Sequence, residues 1–113
     1  MKSYQITQWC HHFIADHVQK GDICIDATMG NGIDTEFLCE LVAEEGKVYA
    51  FDIQAQALAN TKKRLEERNL LHRAELILDS HANMGQYVSQ EVACIVFNFG
   101  YLPGGDHNLA TKA

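Results

Sequence analysis

Polar residues stand at the ends of four short apolar runs. Asp26 follows Ile23-Cys24-Ile25, and Asp52 follows Val48-Tyr49-Ala50-Phe51. Asp79 with Ser80 follows the run from Glu75 to Leu78, and Asn98 follows the run that begins at Val92. A single acid at a strand end often does no more than cap the next turn. Four such endings in phase at one edge of a sheet make a ligand site the better reading. The first ending leads into Ala27-Thr28-Met29-Gly30-Asn31-Gly32-Ile33-Asp34, a glycine loop of the kind that brings backbone close to a nucleotide before a helix begins. Asp52 comes twenty residues after Gly32. An acid at that distance, at the tip of the second strand, suits the two hydroxyls of a ribose.

Both a dinucleotide and S-adenosylmethionine (SAM) carry such a ribose. A dinucleotide loop wants a third glycine for close helix packing, and here Thr35 stands at that position. The dinucleotide loop also holds a pyrophosphate on a helix N-terminus, whereas Asp26 and Asp34 flank this loop. A carboxylate some 4 Å from a phosphate costs roughly 4 kcal/mol at an effective dielectric of 20. SAM has no phosphate, and its sulfonium and ammonium are cations, so an acidic loop favours it over a nicotinamide dinucleotide.

Methyl transfer from a sulfonium is an in-line displacement in which placing the nucleophile is most of the catalysis. An amine nucleophile must arrive neutral with its lone pair aimed at the methyl. The amide oxygen of Asn98 can accept the amine's hydrogens, and Tyr101 can lie against a flat base. His81 or His107 can take the proton, because imidazole titrates near neutrality. A polar loop position explains each histidine equally well.

The elements that must position these residues alternate. Apolar spacing predicts a helix from Ser3 to Val18, with Ile6, Trp9, Cys10, Phe13, Ile14 and Val18 on one face. Strand one runs from Ile23 to Ala27, near-continuously apolar as for a parallel strand covered on both faces. Asp34 is expected to cap a helix from Thr35 to Glu45, with Gly46 as its stop. Strand two spans Lys47 to Ile53, with Asp52 at its end, and a helix follows from Gln54 to Asn69, its buried stripe made by Ala57, Leu58, Thr61 and Leu65. A solvated surface is the simpler account of Lys62, Lys63, Arg64 and Arg68 on its other side. Strand three spans Glu75 to Leu78, a short helix lies around Met84 to Val88, and strand four spans Val92 to Phe99 before an open loop. Alternation of this kind gives an α/β, Rossmann-like doubly wound parallel sheet of order 3-2-1-4. The site then falls at the switch point between strands one and four.

At 113 residues the chain is read as one domain, 1–113, and its 47% hydrophobic content supports a packed core. A net charge of −6 and a pI near 5.4 argue against a protein living off non-specific phosphate contacts. Any nucleic-acid partner must be gripped by a local patch or by further parts. The first residues lack a signal-peptide core, and no apolar run approaches the roughly 18 residues of a membrane span. Cys10, Cys24, Cys39 and Cys94 are scattered without a CxxC pair and read as buried thiols of a reducing cytoplasm. His11, His12 and His17 miss the i, i+4 spacing of a helical metal site, so no metal is assigned.

The segments Asp26-Ala-Thr-Met-Gly-Asn-Gly-Ile-Asp34, Asp52-Ile-Gln54, Asp79-Ser-His81 and Asn98-Phe-Gly-Tyr-Leu-Pro-Gly-Gly-Asp-His107 together resemble the rRNA methylase family of class I SAM-dependent methyltransferases. The last segment is the most specific. The family includes the bacterial tRNA methyltransferase that converts wobble 5-aminomethyl-2-thiouridine to its methylaminomethyl form. The resemblance implies that Asn31 and the backbone at Gly30 and Gly32 hold the methionine end of SAM. Asp52, with Gln54 beside it, would hold the ribose; Ser80 and His81 would lie by the adenine; and Asn98 and Tyr101 would face the substrate amine and base. Asp26, Asp34 and Asp79 complete the expected cofactor site, and His107 joins the catalytic set. tRNA is the implied partner. Family members continue past this point, so the chain resembles their N-terminal portion, truncated after strand four. A long apolar edge at strand four would then invite self-association. An rRNA target, a non-catalytic SAM-binding or assembly module, and a dinucleotide-dependent oxidoreductase are the competing readings.

Overall fold

The computed structural model describes residues 11–97 and, as backbone, the strand Gly100–Pro103. Residues 11–17 are helical (α1). They are followed by β1 (Ile23–Asp26), α2 (Ile33–Val42), β2 (Lys47–Asp52) and α3 (Ala55–Glu67). A 3-10 turn at Leu71–Arg73 leads into β3 (Ala74–Leu78), and a second at His81–Gln86 precedes β4 (Cys94–Phe97) and β5 (Gly100–Pro103). The sheet order is β3-β2-β1-β4-β5. Its first four strands are parallel, in the 3-2-1-4 order expected for a doubly wound sheet.

Strand residues divide by a period of two between the sheet's faces. Cys24, Val48, Cys94 and Val96 point to one side, where Leu38, Cys39 and Val42 of α2, Leu65 of α3 and Ile14 of α1 close over them. Ile25, Tyr49, Phe51, Ile77 and Ile95 point to the other and meet Val88 and Val92. Both faces are covered, which is why β1 and β2 read as continuous apolar runs. Cys24, Cys39 and Cys94 are core thiols, as expected, and burial pushes the Cys39 thiol up to about 12 and Cys24 higher still. Cys10 lies outside the described residues.

Several local expectations need correction. Gly32, not Asp34, is the N-cap of α2, and the helix begins at Ile33 because the chain is already turned by Gly32 at φ 88°. The helix ends at Val42 with Ala43 at φ 61°. Gly46 serves for space instead: a Cβ there would run into Val42 and the Asp22 carbonyl. The short helix expected around Met84 is a 3-10 turn starting earlier, at His81, with the Ser80 hydroxyl accepting from the Ala82 N–H.

The larger correction concerns strand four. It is shorter than expected, Cys94–Phe97, and it is not an edge. The stretch read as open loop contains β5, which pairs with β4 antiparallel from Phe97↔Gly100 to Cys94↔Pro103. Pro103 cannot donate to a further ladder, which suits the outermost strand among the described residues. The physical reason for expecting self-association through β4 is thereby removed. Among the described residues no helix is long and apolar enough to cross a membrane.

Candidate functional site

The carboxyl ends of β1 and β2 carry Asp26 and Asp52, paired strands apart, and the glycine loop lies over both. Asp52 is buried, and one of its oxygens accepts from the Gly30 N–H at 3.1 Å while the other accepts from the Gln54 N–H at 3.0 Å. One carboxylate thus ties the glycine loop to the start of α3. Each oxygen keeps a second lone pair, so the group retains acceptor capacity for hydroxyls. Gln54 is the N-cap of α3, with extended backbone and an exposed side chain. Ile53, between them, is an apolar side chain left 72% exposed at the strand tip. Sequence reasoning passed over it; the signal available was an apolar residue directly following the strand-end acid.

Asp26 is fully buried, which sets it apart from the other acids. Its Oδ2 accepts from the Thr35 hydroxyl at 2.6 Å and its Oδ1 from the Thr28 N–H at 3.2 Å. It braces the loop from beneath and presents no surface to a ligand. Desolvation pushes its carboxyl up to about 7, against the pull of the Thr35 hydrogen bond and with added repulsion from Asp34 and Asp52. Thr35, itself fully buried, explains the missing third glycine: a hydroxyl is needed there to satisfy a buried acid. Asp34 lies in the first turn of α2 and meets Nε2 of His11 at 2.7 Å, while the His11 ring stacks on Phe37 at 4.1 Å. This contact docks α1 beside the loop. The charge argument against a phosphate therefore rests less on Asp26 and Asp34 than their sequence positions suggested. Asp26 is buried and readily protonated, and Asp34 has a partner.

The loop backbone is gripped from α3. Gly32 is buried, and a Cβ on it would sit 3.0 Å from both Cα and Oγ1 of Thr61. Thr61 Oγ1 donates to the Gly30 carbonyl at 3.1 Å, and Arg64 Nε donates to the Asn31 carbonyl at 2.9 Å. The Asn31 side chain is exposed, with Asn60 Nδ2 at 3.4 Å from its oxygen. Beyond Asn31, an open groove of about 340 Å³ runs along Asn60, Lys63, Arg64, Glu67 and Arg68.

At the end of β3, Asp79 is turned to its own chain. It accepts from the Ser80 N–H (2.7 Å), Asn83 Nδ2 (2.9 Å) and the Tyr87 hydroxyl (2.7 Å). These donors, Tyr87 first, hold its carboxyl below the usual range, and the hydrogen bond to Asp79 pushes the Tyr87 phenol up. Asp79 thus builds the turn that carries Ser80 and the exposed His81, whose ring meets Phe97 edge-on at 5.9 Å. The structure brings Gly30, Asn31, Gly32, Asp34, Asp52 and Gln54 together at the β1–β2 end, with Asp26 beneath them. Asp79, Ser80 and His81 form a second cluster at the end of β3. Asn98 and His107 lie outside the described residues; Tyr101 lies on β5, paired with Val96, with only its backbone described.

The family described as "Putative rRNA methylase" matches residues 48–113, more than half of the sequence. A curated relative from Arabidopsis thaliana, a chloroplastic tRNA (mnm5s2U34)-methyltransferase, is 36% identical over 93% of this chain and 42% of its own length. A crystal structure of an rRNA-methylase, so described as putative, from Clostridium thermocellum aligns with a TM-score of 0.80 at 44% identity, covering 84% of this chain and 52% of that one. A methyltransferase from Streptococcus mutans, also described as putative and crystallised in complex with SAH, aligns at 0.75 and 41% identity over 94% of this chain and 56% of its own. The chain spans about half the length of these relatives. Sheet order, the loop on its β2 acid and the sequence match agree, and the chain belongs to the rRNA methylase family.

Proposed function

We propose that the chain forms the cofactor-binding part of a SAM-dependent methyltransferase acting on an RNA amine, with wobble 5-aminomethyl-2-thiouridine of tRNA as its substrate. The observation that carries the reading is Asp52, a buried strand-end carboxylate that links the Gly30 and Gln54 amides and keeps acceptor capacity for a ribose diol. The donor set fits SAM: a glycine loop without a basic side chain of its own, Asp52 at its foot, and exposed apolar Ile53 at the β2 tip as a face for a purine. SAM supplies an electrophilic methyl on a sulfonium.

In this reading Asp52 accepts from the ribose hydroxyls. Asn31 and the loop amides at Gly30 and Gly32 receive the methionine end, and Gln54 flanks the ribose. Ser80 and His81 border the adenine. Asp26, Asp34 and Asp79 act through the chain: Asp26 supports the loop, Asp34 docks α1 through His11, and Asp79 shapes the β3 turn. Asn98 accepts hydrogens of the incoming amine and orients its lone pair, Tyr101 lies against the base, and His107 or His81 takes the proton. The tRNA assignment is supported by the 36% identical relative, named for that activity. The buried thiols suit a reducing compartment, the cytoplasm.

A second reading is a non-catalytic SAM-binding or assembly module. Mass analysis of wobble uridines separates the two in cells lacking the gene. Restoration of the methylaminomethyl nucleoside by the intact gene, but not by its Asn98→Ala form, is expected. Unchanged modification on loss of the gene, or full restoration by Asn98→Ala, contradicts the catalytic proposal.

A further inference from the structure

We infer that Thr61 and Arg64, on α3 and outside the glycine loop, are positioning residues that aim a loop amide at the ligand; the inference rests on the cofactor reading above. The two side chains sit about one helical turn apart on the same face, and each takes one of two consecutive carbonyls. Thr61 Oγ1 binds the Gly30 oxygen and Arg64 Nε the Asn31 oxygen. A trans peptide is planar and sets its N–H opposite its carbonyl. Pulling the Gly30 carbonyl onto α3 therefore turns the Asn31 N–H away from α3.

The neighbouring amides are spoken for. Gly30 N–H goes to Asp52 at 3.1 Å, and Gly32 N–H goes to the Met29 carbonyl at 2.8 Å. The Asn31 N–H meets no acceptor among the described residues. It is a donor left over between two bonded amides, and an anionic group such as a ligand carboxylate is its natural acceptor. The grip is itself anchored. Arg64 also donates to Glu36 Oε1 at 3.0 Å, and Glu36 Oε2 receives Arg68 at 2.6 Å. Glu36 stands in the first turn of α2. The loop is thus held between the helix it opens and the helix that follows the ribose acid. At Gly32 there is little slack, since a Cβ there would sit 3.0 Å from Thr61 Cα.

Arg68 gives the control, because it shares Glu36 with Arg64 but makes no bond to the loop among the described residues. The experiment titrates SAH into the wild-type chain and into Thr61→Val, Thr61→Ser, Arg64→Ala and Arg68→Ala by calorimetry. Amide hydrogen exchange at residues 30–32 is followed in the ligand-free proteins. Thr61→Val and Arg64→Ala are expected to weaken SAH about tenfold, the size of one lost orienting hydrogen bond, and to speed exchange at Gly30 and Gly32, whose N–H groups are bonded to Asp52 and Met29. Thr61→Ser, which keeps the hydroxyl, and Arg68→Ala, which loosens α2 from α3 alone, retain wild-type affinity and exchange. Wild-type affinity and exchange in Arg64→Ala and Thr61→Val overturn the inference. Equal loss in Arg68→Ala also overturns it, since the effect would then be general helix loosening. Failure of the wild-type chain to bind SAH is a different result and refutes the cofactor reading; the exchange pattern then decides the grip by itself.

Discussion

Asp26 and Asp52 are the same residue type, each ending one of two adjacent strands, and the structure gives them different work. Asp52 keeps an edge toward solvent and links two backbone amides; Asp26 has none and is closed off by Thr35 and Thr28. Sequence position could locate both at the strand ends. It could not separate them, because the difference lies in Thr35, nine residues on, and in the depth of the loop above. The raised carboxyl of Asp26 has a stability consequence. Its folded value, about 7, lies above its ordinary value of 3.8. Between those values the unfolded chain has lost a proton that the folded chain retains, so this group's contribution falls as pH rises through that window and is flat outside it. The slope is at most about 1.4 kcal/mol per pH unit. Asp26→Asn mimics the protonated acid and still accepts from Thr35. The unfolding free energy of the wild type, relative to Asp26→Asn, should fall between pH 4 and pH 7 in urea titrations; a pH-independent difference would show that Asp26 is ionised throughout.

At the scale of elements, the strands and α3 were legible because their signals are periodic and local. Continuous apolar runs marked β1 and β2, and Ala57, Thr61 and Leu65 marked the buried side of α3. The start of α2 was misplaced because Asp34 has the chemistry of a cap, yet its carboxylate is drawn to His11, 23 residues away in sequence. The β5 strand was missed since Gly100 and Pro103 carry turn signals, and pairing with β4 outweighs them. Gly32 joins the two helices' geometry: its φ of 88° disfavours a side chain, and a Cβ there would crowd Thr61 at 3.0 Å. Gly32→Ala should therefore cost about 2–4 kcal/mol, combining left-handed strain with overpacking. A denaturant midpoint lowered to match is expected, and a loss below about 0.5 kcal/mol, within the range of ordinary surface changes, would mean that α3 gives way without resistance.

At the scale of the whole molecule, a doubly wound sheet concentrates its strand-end polar groups at one rim. That rim is where the loop, the β2 acid and the β3 turn gather. Much of this was legible from spacing: Gly30, Gly32 and Asp52 have the separation that such a rim imposes. The support beneath and behind the loop was not, because Thr35, Thr61 and Arg64 act through contacts across elements. The central claim is that this rim takes a phosphate-free, cationic nucleoside rather than a dinucleotide. Calorimetric titration of the 113-residue chain with SAM and with NAD, alongside the same titrations of Asp52→Ala, tests it most directly. The account predicts saturable SAM binding that is lost in Asp52→Ala and no binding of NAD; binding of NAD without SAM, or SAM binding indifferent to Asp52, would contradict it.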